Sequence, residues 1–190
     1  ALELEQSGVL SVPEHAGEEN RGKSLLVDVV RGDGVIEGLP GKGDLVFGCG
    51  QFFLQVGHAL EEGVDMGPVA SQVQLDENLA WIDRGVREGA TLLCGGEALE
   101  RDAPGYYMAP ALFVDSDNSM AINREELFAP IACVIRAKDY EHALQILNDT
   151  NFGLTAGIVT QSLATATDFK KRAVAGCVMI NLPTAGTDYH

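Results

Sequence analysis

IACVIRAKDYEHALQILNDTNFGLTAGIVTQSLATATDFKKRAVAGCVMINL, residues 131 to 182, carries the alternating pattern from which the architecture follows. Its opening apolar run, residues 131–135, reads as a buried strand. Asp139 then stands where a helix cap belongs, ahead of Tyr140, Ala143, Leu144 and Leu147 on one helical face. Residues 154–159 form the next apolar run. Ser162 is placed to cap a second helix carrying Leu163, Ala166 and Phe169, with Lys170, Lys171 and Arg172 near its end and Gly176 just past it. Residues 177–182 read as a last strand. Strand, helix, strand, helix, strand at this spacing predicts an α/β fold with a mostly parallel sheet. Right-handed crossovers would put the helices against its faces.

Working outward, Leu75, Leu79, Ile82 and Val86 recur at helical spacing. Asp76 and Glu77 come early in that helix, Arg84 and Arg87 late, and Gly89 is a natural stop. Residues 91–94 follow as a short strand ended by Gly95-Gly96. Residues 107–114 are apolar but broken by Pro110, which predicts an edge strand or an extended segment. Before residue 71 the periodicity fades. Residues 25–30 read as a strand, and Gly32, Gly34, Gly38, Gly41, Gly43, Gly48 and Gly50 then follow closely. So many glycines weaken any helix, and a loop-rich stretch is expected there. Gly32-Asp33-Gly34 and Gly41-Lys42-Gly43 lack the frame of a phosphate loop and read as turns.

The 190 residues suit one domain with a real core, and 46% hydrophobic against 22% charged residues is a globular composition. A net charge of −15 argues against nucleic acid and against anionic lipid as partners. Cys49, Cys94, Cys133 and Cys177 are scattered, with no CxxC pair and no His at metal spacing, so no metal site is expected and reduced thiols in the cytoplasm are. No apolar run approaches bilayer length, and the acidic first residues lack the basic start of a signal peptide.

Six segments in order resemble the aldehyde dehydrogenase family. They are Met66-Gly67-Pro68, Leu93-Cys94-Gly95-Gly96, Gly105-Tyr106-Tyr107-Met108-Ala109-Pro110, Glu125-Glu126-Leu127-Phe128-Ala129-Pro130, Asn148-Asp149-Thr150-Asn151-Phe152-Gly153-Leu154 and Asn181-Leu182-Pro183-Thr184. The fourth is similar to the family's EE(I/L)FGP signature. The ending, residues 181–190, looks closest to members that oxidise ketoglutaric semialdehyde. The resemblance divides the chain into residues 1–55, a degenerate Gly-rich segment, and residues 56–190, similar to the C-terminal α/β region of the family's catalytic domain.

The resemblance implies a chemistry: a Cys thiolate attacks the aldehyde carbon, hydride passes to NAD or NADP, and a Glu activates water to release the acid. Glu19-Asn20-Arg21-Gly22-Lys23-Ser24 is similar to the family's ELGGKS segment, which would make Glu19 the general base; the alternative is a solvated acidic loop. The family's nucleophile follows a Gly-Gln pair by two residues. After Gly50-Gln51 that place belongs to Phe53, which forms no thiolate, and Cys49 precedes the pair. Glu126 would bond the nicotinamide ribose and Phe128 would pack by the ring; the alternative is that Phe128 fills the core and Glu126 caps or solvates a turn. The family's cofactor-binding half is not represented, so the expectation is a truncated chain, inactive alone. Its partners would be a small aldehyde and either a second copy or a full-length subunit. The rival reading is a non-catalytic binding or oligomerisation module derived from the same fold.

Overall fold

The computed structural model describes residues 6–11, 25–33, 55–58 and 60–182. The fold is arranged around β7 (Ile131–Ala137). Ile131, Ala132, Cys133, Val134 and Ile135 are all buried, so neither face of this strand meets water. That accounts for an unbroken apolar run where a half-exposed strand would alternate.

The other strands of its sheet are β1 (Gln6–Ser11), β2 (Leu25–Asp33), β3 (Thr91–Cys94), β6 (Ala111–Ser116), β8 (Thr155–Val159) and β9 (Cys177–Ile180), while β4 (Ala98–Leu99) and β5 (Tyr107–Met108) form a separate ribbon. The order is β3-β6-β7-β2-β1-β8-β9. β1, β6, β7, β8 and β9 run one way and only β2 and β3 oppose them, so the sheet is mostly parallel, as expected.

Four helices are described: α1 (Gln72–Glu88), α2 (Ala121–Arg124), α3 (Tyr140–Asn148) and α4 (Leu163–Arg172). They pack on the face that carries Ile131, Cys133 and Ile135, not on both faces. Ile82 and Ile122 meet Phe113 and Cys133, while Ala143, Leu144 and Phe169 meet Ile135, Ala156 and Ile158. Asp139 and Ser162 cap as expected, accepting from the amides of His142 and Thr165, and Gly89 ends α1 with a φ of 103°; Ser71, which the sequence did not single out, caps α1 by accepting from the Gln74 amide. Arg172 bonds Glu141 at 2.6 Å, and the Tyr140 hydroxyl donates to Asp168 at 2.9 Å, tying α3 to α4.

Several expectations are corrected. Val86 is half exposed; the buried face of α1 is Leu75, Asn78, Ile82 and Gly85, because at Gly85 the helix comes up close against the Phe113 ring. A Cβ on Gly85 would lie 3.0 Å from the Phe113 ring. Leu163 is 81% exposed at the start of α4, so only Ala166 and Phe169 carry that face inward. Residues 107–114 are not one edge strand: Tyr107–Met108 is β5, and β6 begins after Pro110 as an interior strand between β3 and β7. Residues 6–11, where no strand was expected, form β1, and β2 runs past Val30 to Asp33; the rest of the glycine-rich stretch expected to be loop-rich lies outside the described residues. The last strand stops at Ile180, since Asn181 has a φ of 54°.

Candidate functional site

Glu126 and Phe128 lie in the short span between α2 and β7. Phe128 is 70% exposed and does not fill the core, which removes that one of the two alternatives for the ring. Glu126 is exposed as well. Phe128 also holds a φ of 50°, in the left-handed region that costs an L-residue of its kind and persists only where the surroundings impose it. An exposed aromatic ring on a constrained backbone gains little for the fold itself. An ionised carboxylate can accept hydrogen bonds, and an exposed aromatic ring can pack against a flat group.

The span is fixed at both ends. On the β7 side, the Ala111 amide donates to the Pro130 carbonyl at 2.8 Å, and Ala111 pairs with Ile131. On the other side stands α2, which at four residues is too short to be stable by itself. Its start is held by Glu88, whose carboxylate accepts from the Ala121 amide at 2.6 Å. Partial burial pushes the Glu88 carboxyl up, but the Ala121 amide together with Arg84 and Arg87 outweighs it and holds the group below its ordinary range. Asp117, just upstream, accepts from the hydroxyl and amide of Ser119, which holds its carboxyl low.

The end of α2 is held by Arg124. Its guanidinium donates to the Asn118 carbonyl, to the Asp149 carbonyl at 2.9 Å and to the Asp149 carboxylate at 2.7 Å. Asn118 in turn donates to the Ile146 carbonyl at 2.8 Å. Sequence reasoning missed this arrangement. Its only signals were an Arg directly ahead of the Glu pair and an Asp inside another quoted segment.

Other quoted segments meet as well. The Val69 amide, just after Met66-Gly67-Pro68, donates to the Tyr106 carbonyl at 2.9 Å. Gly95 has a φ of 69°, and a Cβ there would sit 1.7 Å from the Pro110 carbonyl oxygen.

Glu19, Cys49 and Phe53 lie outside the described residues. Cys94, Cys133 and Cys177 are present as thiols, with Cys133 buried and the other two half-buried. A cavity of about 520 Å³ lies elsewhere, lined among others by Val56, His58, Glu61, Arg101 and Asp102; neither Glu126 nor Phe128 borders it. No described helix is long and apolar enough to cross a membrane.

Against known proteins, the profile of the aldehyde dehydrogenase family matches residues 53–190. The chain is 42% identical over 137 residues to the alpha-ketoglutaric semialdehyde dehydrogenase of Bacillus subtilis, covering 71% of this chain and 28% of that protein. It is 40% identical over 128 residues to aminoaldehyde dehydrogenase 2 of Solanum lycopersicum, covering 67% and 25%. Among solved structures it is similar to a 1-pyrroline-5-carboxylate dehydrogenase from Thermus with bound NAD, at a TM-score of 0.66 and 35% identity over 70% of this chain and 25% of that one. It is likewise similar to HpcC from Thermus thermophilus, at a TM-score of 0.66 and 36% identity over 72% and 27%. The chain thus spans about a quarter of the length of these relatives.

Proposed function

The chain belongs to the aldehyde dehydrogenase family, and from that premise we propose that it supplies the nicotinamide-facing wall of an NAD(P)-dependent aldehyde-oxidising site and does not turn over alone. The observation that carries this reading is the pair Glu126 and Phe128, both turned to solvent on a backbone fixed at either end. Glu126 would accept from the nicotinamide ribose hydroxyls, since an ionised carboxylate is an acceptor only. Phe128 would lie by the ring and exclude water on that side. The dinucleotide, when bound, takes up the hydride released by the substrate. Glu19 remains the candidate for the base that activates water. With Phe53 in the nucleophile's register and Cys49 several residues away, no thiol is proposed for the acyl-transfer step. Semialdehydes of dicarboxylic acids are the proposed substrate class, on the strength of the Bacillus subtilis relative's name.

Two measurements test this. Incubated with a dicarboxylic semialdehyde and NAD or NADP, the chain is expected to give no rise at the reduced-nicotinamide absorbance band. Sustained turnover, or an acyl group trapped on one of its thiols, would refute the proposed inactivity. Saturation-transfer NMR with NAD is expected to show transfer to the nicotinamide protons that Phe128→Ala abolishes and Glu126→Gln weakens. Absence of transfer in the unsubstituted chain would sink the wall.

A second reading has an observation of its own. β9 ends the sheet among the described residues, and such an edge offers unpaired amides and carbonyls to another strand. A binding or oligomerisation role would register in size-exclusion chromatography as a dimer or larger species, and a clean monomer at high concentration would rule it out.

A further inference from the structure

We propose that Arg124 is a positioning residue for Glu126 and Phe128: by fastening the end of α2 to the end of α3, it sets where that carboxylate and that ring stand. The inference rests on the reading of those two residues as the nicotinamide-facing pair, and it adds the device that holds them.

The argument starts from what cannot hold them. Phe128 is 70% exposed, so packing does not fix its ring. Its left-handed backbone is one that the residue would leave if released. Between Arg124 and Pro130 there are only residues 125–129, and Pro130 is pinned by the Ala111 amide. A span this short takes its conformation from its two ends. One end is a sheet ladder. The other is a four-residue helix whose last residue is Arg124.

An exposed ion pair alone would be a weak fastener, and this one is partly open, with 34% of the Arg124 and 57% of the Asp149 side chain accessible. The guanidinium does more than pair a charge. It spans the Asn118 carbonyl, the Asp149 carbonyl and the Asp149 carboxylate, so three acceptors from two chain segments converge on one planar fork. Asn118 reinforces the junction, donating to Ile146 and to Asp149. Two of the Arg124 acceptors are backbone carbonyls, so salt does not screen the whole contact.

The test is ¹⁵N relaxation on the full 190-residue chain, unsubstituted and as Arg124→Ala, Arg124→Lys and Asp149→Ala. Order parameters at residues 126–128 are expected to be about 0.85 in the unsubstituted chain and below ~0.6 in Arg124→Ala. Residues 132–135 and 143–144 should stay rigid. Arg124→Lys keeps the charge but loses the fork, and is expected to loosen the span nearly as much. Asp149→Ala removes only the carboxylate arm and should give a smaller, equally local fall; it carries the test if Arg124→Ala does not fold. Unchanged order at 126–128, or loosening spread equally over β7 and α3, overturns the proposal. Saturation transfer to NAD on the same samples should fall several-fold in Arg124→Ala, and full transfer from a loosened span would also overturn it. Lack of transfer in the unsubstituted chain refutes the nicotinamide reading instead, so the two failures register in different measurements.

Discussion

Asn181 and Thr160 bond each other twice, through an amide side chain on one and the backbone on the other. The Thr160 amide donates to the Asn181 Oδ1 at 2.8 Å, and the Asn181 Nδ2 donates to the Thr160 carbonyl at 2.8 Å. The side chain thereby imitates one more step of the β8–β9 ladder just where Asn181, with a φ of 54°, turns the chain out of it. Asn181→Ala removes both bonds and places an Ala in the left-handed region, for an expected loss of about 2 kcal/mol. Asn181→Gly also removes both bonds but tolerates the turn, so it should cost less. Urea melts check both; equal losses would mean that the backbone conformation contributes nothing.

Gly95 and Gly89 are both left-handed, yet they should answer differently to the same substitution. A Cβ on Gly95 meets the Pro110 carbonyl oxygen at 1.7 Å, whereas one on Gly89 meets nothing within 4 Å. Gly89→Ala should cost about 1 kcal/mol, the backbone term alone. Gly95→Ala should cost more than ~4 kcal/mol, because β3 and the entry to β6 must separate. Denaturant midpoints of the two variants, compared directly, decide the point.

Tyr107 is 1% exposed, and its hydroxyl has no hydrogen-bond partner among the described residues. Removing an unsatisfied buried hydroxyl takes away a desolvation cost and no bond. Tyr107→Phe is therefore expected to be neutral or stabilising by up to ~1 kcal/mol. A loss of more than that in a thermal melt would show that the hydroxyl is bonded after all.

Glu88 links pH to the anchoring of α2. Its carboxyl is held below the ordinary value of 4.5, so it binds its proton less readily in the folded chain than in the unfolded one. The stability it contributes is present above that value and is lost as pH falls through the folded one. Between about pH 6 and pH 3 the unsubstituted chain should lose stability more steeply than Glu88→Gln, which begins lower and changes less. Parallel curves in urea melts over that range would contradict the Glu88–Ala121 contact.

Phe128 and Phe113 test exposure against burial. Phe113 is 0% exposed and Phe128 is 70% exposed. Phe113→Ala should cost about 3–5 kcal/mol. Phe128→Ala should change stability by less than ~0.5 kcal/mol, which is why it can serve as a clean probe of dinucleotide contact. A large stability loss for Phe128→Ala would return the ring to the core.

Periodicity and capping chemistry are local, and what depends on them was legible from the residues alone. Asp139 and Ser162 cap where their side chains can reach an amide three residues on, and the apolar run at 131–135 announced a buried strand. The ordered segments likewise implied the family. Which face of α1 turns inward was not local. Val86 fits the helical spacing as well as Gly85 does, but it is the glycine that lies close against Phe113. β1 was invisible for a similar reason: its strand character comes from pairing with β2 and β8, and β8 is far away in the chain.

The candidate site divides the same way. Residue type and order were enough to carry a resemblance, and the resemblance pointed to Glu126 and Phe128. Only the tertiary structure decided that Phe128 faces solvent, and that Arg124 reaches Asp149 across 25 residues of chain. Exposure and long-range bonds depend on where other segments come to rest. A sequence states which groups can bond; the folded sheet and its helices select which of them meet.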